Sequence, residues 1–401
     1  MKFDWRKTFV LGFGFLGISI IWPIFNSFVP PFLADLGLSA GVIGFILTWD
    51  NLINMFFQPW VGTRSDRTRS RFGRRKPWLM AGAPLAAAFF ILVPFVRENF
   101  VWIALAILGT NIGMALFRSP TIAYLGDLYP AEQRSKANGV INLMGGVGGA
   151  LALFGGGALY KIGVPLPFIV GAIVLLIAIA IVVAYVREPK EIASPTDSAP
   201  PESALANLRQ MAASADRSGI YLLLAIFCWF VSWNAIEAFF TLYTRDVLGI
   251  DVGTGSQMLT AFAAALILFA IPSGLIATRI GRKPTILIGL SGMVVGLVLA
   301  FAVRNTTALL VLLAAMGAFW ALVNINSLPM VYDVGGERSI GALTGLYYLS
   351  SSAAAITGPI VAGALADMFT SYVAIWPFAA LFMIAAWILF SRIHARHGAA
   401  V

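Results

Sequence analysis

Three charged side chains, Asp50, Arg118 and Glu237, stand inside segments otherwise apolar enough to cross a bilayer. Placing a charge at such depth costs several kcal/mol, from roughly 2.5 upward, so each is a functional hypothesis by default. Desolvation and a neighbouring cation act on a buried carboxyl in opposite senses, so Asp50 can hold a proton in one conformation and release it in another. Arg118, the one deep cation, is its candidate partner; a static Asp50–Arg118 pair bracing two helices is the alternative. Glu237 has Trp233 and Asn234 about one turn before it. A carboxylate accepts two hydrogen bonds from adjacent sugar hydroxyls, and an aromatic face stacks on the C–H side of a pyranose. Trp22, Asn26, Asn111, Asn142, Asn324, Asn326, Tyr347 and Tyr348 offer similar chemistry. For each of these, interhelical hydrogen bonding or placement at the lipid boundary is the competing reading.

The elements that must position these residues follow from composition. The chain has 401 residues, 59% of them hydrophobic and 11% charged, with a mean hydropathy of +0.87. A water-soluble fold cannot hide that much apolar surface, so lipid is the solvent for most of it. Segments of about 20 apolar residues recur twelve times, at roughly 9–34, 40–62, 78–97, 100–126, 136–160, 165–187, 218–244, 254–277, 284–303, 307–332, 339–366 and 371–392. Asp50 precedes Gly62 by twelve residues, about 18 Å of helix, which places it near mid-membrane.

Charge sets the orientation. The loop GTRSDRTRSRFGRRKP, Gly62 to Pro77, carries seven basic residues: Arg64, Arg67, Arg69, Arg71, Arg74, Arg75 and Lys76. Of the 27 Lys and Arg, only Arg97, Lys161, Arg245 and Arg304 fall in loops of opposite parity, and Arg118 falls within a helix. The positive-inside rule therefore puts both termini in the cytoplasm. The net charge of +9 sits in short loops and does not suggest nucleic acid. The single Cys228 lies in an apolar segment, and His394 and His397 lie in the tail, so no disulfide framework or metal-ligand cluster is expected. Met1–Lys7 is basic, but the apolar run after it is long enough to span, so no cleavable signal is expected.

Residues 188–216 are rich in Ser, Pro, Ala and acidic types and read as a cytoplasmic linker, with a short surface helix near 203–213. They separate residues 1–187 from 217–401, two sets of six helices. The halves share residues at two offsets. Gly37/Gly249 and Gly62/Gly274 are 212 apart; Asp127/Asp333, Gly139/Gly345 and Gly157/Gly363 are 206 apart, after a shorter loop in the second half. The basic loop itself has a shorter copy, GLIATRIGRKP, Gly274 to Pro284. The expected fold is an all-α membrane protein of twelve transmembrane helices in two pseudo-symmetric six-helix bundles.

This arrangement resembles the major facilitator superfamily. Gly62, Asp66, Arg67, Gly73, Arg74, Arg75 and Lys76 fit its signature between helices two and three, with a five-residue insertion. The expanded form, together with Gln58-Pro59 and Ala81-Gly82-Ala83, resembles plant sucrose–proton symporters and their animal relatives. More broadly it is similar to the glycoside–pentoside–hexuronide cation symporters. Leu125-Gly126-Asp127-Leu128 followed by Arg134 and Ala137-Asn138 adds to that likeness; the second half supports only the superfamily. The resemblance implies a substrate site between the halves near the bilayer midplane. It also implies two roles for Asp127: a proton site, or a cytoplasmic gate paired with Arg74 or Arg75, with Asp66 facing the start of helix eleven. The gate reading is preferred. In the copy, Asp333 would pair with Arg279 or Arg282, and Thr278 replaces the counterpart of Asp66, so that half of the gate should be weaker. In sugar symporters of the wider family helix two carries cation-site acids; here Asn54 and Gln58 stand at those places, which favours a proton over sodium.

Gly155–Gly157 lacks the strand and lysine of a phosphate loop, and no ATPase motif or catalytic triad is visible. The expected function is secondary: proton-coupled symport of a disaccharide or related glycoside, without a cofactor, by a monomer in a bacterial inner membrane. An exporter of drugs or metabolites with the same fold is the alternative.

Overall fold

The computed structural model describes residues 3–188, 217–335 and 340–393. The expected linker and its surface helix, from 189 on, lie outside the described residues, as do His394 and His397. Twelve helices are long and apolar enough to cross a membrane among the described residues. They are α1 (Trp5–Asp35), α2 (Ala40–Leu47 and Trp49–Arg67, interrupted at Thr48), α3 (Lys76–Leu92), α4 (Phe100–Leu128), α5 (Ala131–Ile162), α6 (Leu166–Tyr185), α7 (Ser218–Asp246), α8 (Val252–Ile280), α9 (Arg282–Ala302), α10 (Thr306–Gly335), α11 (Ile340–Met368) and α12 (Ile375–Ser391).

Helices are the natural solution here because lipid offers no partner to a backbone amide, and a helix pairs its own. Their ends run past the apolar stretches where a cap is available. Helix α1 starts at Trp5 rather than near residue 9 because Asp4 accepts from the Lys7 amide at 3.0 Å. Likewise Asn99 accepts from the Val101 and Trp102 amides and starts α4. Helix α5 begins at Ala131, directly after Pro130, and not near 136. Large apolar side chains such as Ile177, Leu268, Ile271 and Leu381 are exposed, as suits surfaces solvated by acyl chains.

The chain forms two compact units. The first contains Met1–Ser39, Ile46–Ser194 and Gly249–Thr260; the second contains Ala40–Phe45, Pro195–Leu248 and Ala261–Val401. In the first, α1 packs on α5 and α6, and α3 packs on α4 and α6. In the second, α7 packs on α11 and α12, and α9 packs on α10 and α12. Every one of these pairings recurs six helices later. Gly82 of α3 sits where a Cβ would come within 2.9 Å of the Phe117 amide in α4, and Gly289 of α9 sits 2.8 Å in the same sense from the Phe319 carbonyl in α10. Backbone conformation repeats as well: Gly37 and Gly249, after α1 and α7, have φ of 78° and 65°.

Candidate functional site

A dense polar network lies where the α2–α3 loop meets α4. Asp127, near the end of α4, accepts from Arg74 at 2.6 Å and from Nε of Arg75 at 3.0 Å. Arg75 is only 4% exposed and also reaches Asp66 and the hydroxyl of Ser65. Asp66 is therefore engaged by Arg75. The residues that lead into α11, toward whose start Asp66 was expected to face, are 336–339 and lie outside the described residues. Gly62 lets α2 approach α4: a Cβ there would lie 3.3 Å from Ser119 Oγ, and that hydroxyl donates to the Gln58 carbonyl at 3.3 Å.

A residue that sequence reasoning left at the edge of the linker completes this network. The carboxylate of Glu188, just beyond α6, accepts from the backbone amides of Arg74 at 2.6 Å, Arg75 at 3.1 Å and Lys76 at 3.0 Å. These amides open α3, where the first turn has no intrahelical acceptors and the dipole favours an anion. Tyr124 donates to the same carboxylate at 2.7 Å. Gly73 has φ of 109°, and a Cβ on it would come within 2.5 Å of the Glu188 carboxyl. The glycine thus serves two needs: a left-handed turn and room for the anion. The available signal was the glycine itself, whose small size in the motif implies a close neighbour.

Arg67, grouped with the gate residues from the sequence, makes no bond to this network among the described residues. It lines a separate pocket with Trp60, Arg64, Thr68 and Trp78. In the second unit the copied loop makes a sparser set of bonds. Arg282, rather than Arg279, binds Asp333 through both carboxylate oxygens, at 2.6 and 2.5 Å, with both side chains more than two-fifths exposed. Thr278 turns its hydroxyl to its own helix, onto the Leu275 carbonyl.

The interior candidates divide between the units. In the first, Trp22 and Asp50 each lie seventeen residues from the loop-side end of their helix, Trp5 and Arg67, and Asn111 lies seventeen from Leu128. At 1.5 Å per residue that is about 25 Å for all three, so they occupy one level. Asp50 accepts from Asn51 at 2.9 Å. Asp50, Arg118 and Asn26 are half-buried and engaged by neighbouring groups. Asn111 is 2% exposed, and neither its amide nitrogen nor its oxygen has a partner among the described residues. Trp22 Nε1 and Asn54 Oδ1 are buried and unpartnered in the same way. Asn142 is not part of this group: it is exposed and donates to Asn138 one turn earlier.

In the second unit Trp233 stacks on Phe262 at 4.1 Å and lies 5.8 Å from Trp320, which Phe230 meets edge-on. This places the Trp233 ring within an aromatic cluster, a structural use that the sequence reading did not weigh. Asn234 donates to the Phe230 carbonyl within its helix. Asn326 is a buried brace, donating to Ser273 at 2.9 Å and so tying α10 to α8. Tyr347 bonds Ser327 at 3.1 Å. Glu237 and Asn324 are half-buried, and Glu237 is engaged by neighbouring groups. A groove of about 610 Å³, lined by Leu287, Val295, Phe319 and Trp387 among others, is apolar and holds none of the predicted site residues.

The sequence profile of the Major Facilitator Superfamily matches residues 9–258 and 245–400. The chain is 24% identical over 364 residues to the tetracycline resistance protein, class B, of Escherichia coli, covering 86% of this chain and 84% of that one. It is 29% identical over 153 residues to the sucrose transport protein SUC4 of Arabidopsis thaliana, covering 34% of this chain. That match spans only 30% of the plant carrier's length. Among solved structures, a bacterial homolog of the human lysosomal transporter Spinster, inward-facing and unoccupied, superposes with a TM-score of 0.76 at 16% identity, covering 98% of both chains.

Proposed function

The chain belongs to the major facilitator superfamily and is a multi-pass secondary transporter, and from that premise we propose that it is a proton-coupled sugar symporter working by alternating access. The observation that carries the sugar reading is a group of buried polar atoms on α1, α2 and α4 without partners among the described residues: both polar atoms of Asn111, Trp22 Nε1 and Asn54 Oδ1. A buried polar group without a partner costs about 1–3 kcal/mol. A ligand bearing several hydroxyls offers donors and acceptors to all of them, whereas an apolar solute offers none. The partial likeness to a plant sucrose carrier supports the same class.

In this proposal Asp50 carries the coupling proton, with Arg118 responding to its charge, and Glu237, Asn234, Asn324 and Tyr347 serve the sugar from the second unit. The Asp127–Arg74–Arg75 network, with Asp66 and Glu188, secures the α2–α3 loop as a gate. No cofactor beyond the proton is invoked. The loop charges support both termini in the cytoplasm, and the short external loops and compact chain support a bacterial inner-membrane protein. Export of a drug or metabolite is the second reading, favoured by the near full-length match to a tetracycline resistance protein.

The experiment is transport into proteoliposomes loaded with a pH-sensitive dye. Sucrose or maltose added outside should acidify the lumen, and Asp50→Asn should abolish acidification while leaving sugar-induced thermal stabilisation in place. If no sugar moves protons and a hydrophobic cation is extruded instead, the exporter reading replaces this one.

A further inference from the structure

The pocket that holds Arg67 has a composition unlike the gate beside it. It measures about 470 Å³ and is lined by Trp60, Arg64, Arg67, Thr68 and Trp78. Trp60, Arg64 and Arg67 follow one another at spacings of four and three on the last turns of α2, which puts them on one face. Arg64 lies over the Trp60 ring at 5.7 Å. Trp78 from the start of α3 meets Trp60 edge-on at 6.1 Å. Its indole nitrogen donates to Thr68 Oγ1 at 2.9 Å, and that hydroxyl donates to the Arg64 carbonyl at 2.8 Å. The wall is thus built, with both indoles held. Arg74 and Arg75 are committed to Asp127 and Asp66, but among the described residues no carboxylate pairs with Arg64 or Arg67, and both are exposed.

We propose that this pocket binds the headgroup phosphate of an anionic phospholipid from the leaflet at the basic end of the helices. A guanidinium presents paired N–H groups that match phosphate oxygens, and two of them on one face match a single phosphodiester. Trp is enriched at the level of lipid headgroups, where its ring is half in hydrocarbon and its N–H in a polar layer. The surface leading away from the pocket toward the bilayer interior decides between a lipid and a soluble phosphate. Phe56, one turn deeper on α2 and on the same face as Trp60, is 68% exposed. A free phosphate has no use for such a surface, whereas acyl chains continuing from the headgroup would cover it. The site is independent of which solute is carried. It gives the α2–α3 loop a second anchor, to the membrane on one side where Glu188 holds it on the other.

The test is native mass spectrometry of the full chain, purified in mild detergent and offered dioleoyl phosphatidylglycerol or dioleoyl phosphatidylcholine. The wild type should retain phosphatidylglycerol over phosphatidylcholine by a factor on the order of ten. The double variant Arg64→Gln/Arg67→Gln should fall to the phosphatidylcholine level. The double variant Arg69→Gln/Arg71→Gln, which removes the same charge from the same loop, should retain the wild-type preference. Equal loss in both variants would mean diffuse attraction and no site. Displacement of the lipid by millimolar inorganic phosphate would assign the pocket to a free anion and overturn the lipid reading. Trp60→Phe/Trp78→Phe guards against a folding artefact: it leaves both arginines in place and should reduce retention without changing the elution profile.

Discussion

The two basic loops, Gly62–Pro77 and Gly274–Pro284, occupy equivalent places in the two units and are fastened by different chemistry. Both are anchored at the end of the sixth helix of their half, α6 or α12. In the first, backbone amides of the loop donate to a carboxylate, Glu188, that follows α6. In the second the polarity is reversed: the ammonium of Lys283 donates to the Ser391 and Ile393 carbonyls at the end of α12, at 3.0 and 2.6 Å. A cation at a helix C-terminus and an anion at a helix N-terminus are both favoured by the helix dipole. Duplication has therefore kept the docking geometry and not the residues that achieve it. The fastenings differ in depth too. Arg75 is 4% exposed and shares three partners, whereas the Arg282–Asp333 pair stands in contact with solvent.

This difference can be broken at five places, of decreasing effect. Asp127→Asn strips a charged acceptor from two guanidiniums, one of them buried. It should destabilise the protein by about 3 kcal/mol, read as a lowered midpoint of thermal unfolding in detergent; a change no larger than that of Asp333→Asn would end the claim of asymmetry. Gly73→Ala should cost about 2–3 kcal/mol, combining an unfavourable φ with displacement of the Glu188 carboxylate. Gly281→Ala, at φ 91° but with only Pro284 Cδ at 3.5 Å from the added Cβ, should cost about half as much, since only the backbone term applies.

Glu188→Gln keeps the shape of the cap and removes its charge, and should cost about 1 kcal/mol. Hydrogen exchange at the amides of residues 74–76 should accelerate in parallel; unchanged exchange there would show that the carboxylate is not their acceptor in solution. Asp333→Asn should come last, below about 1 kcal/mol and vanishing at high salt, as expected of an exposed pair. The comparison is sharpened by Thr278→Asp, which restores the acid position of the first loop. If the missing carboxylate explains part of the asymmetry, this variant raises the unfolding midpoint by the few tenths of a kcal/mol typical of a surface pair.

Much of the fold was legible before any coordinates. Twelve apolar runs of spanning length, with loop charges alternating, leave few options when every backbone group must be paired within lipid. The interior candidates were less legible. Asn111 and Asn326 are alike on paper, each an Asn in an apolar helix. One is buried without a partner and the other is bonded across to Ser273. Trp233 and Trp22 likewise separate only by neighbours: a stack of rings for one, an unpartnered indole nitrogen for the other. Hydropathy records that a polar side chain is buried but not what it meets, because helix rotation and packing set the partner.

By itself the sequence determined the solvent of this protein, its family and its internal repeat, since apolar length, loop charge and motif spacing are properties read along the chain. Tertiary structure alone decided which of the seven basic residues in the first loop are locked. Arg74 and Arg75 go to Asp127, more than fifty residues away, while Arg64 and Arg67 stay exposed beside two indoles. It also brought in Glu188, more than a hundred residues beyond the loop it holds. Ion pairing and capping depend on distance in space, and a distance of a few ångströms between α3 and the end of α6 is set by helix packing, not by any local pattern.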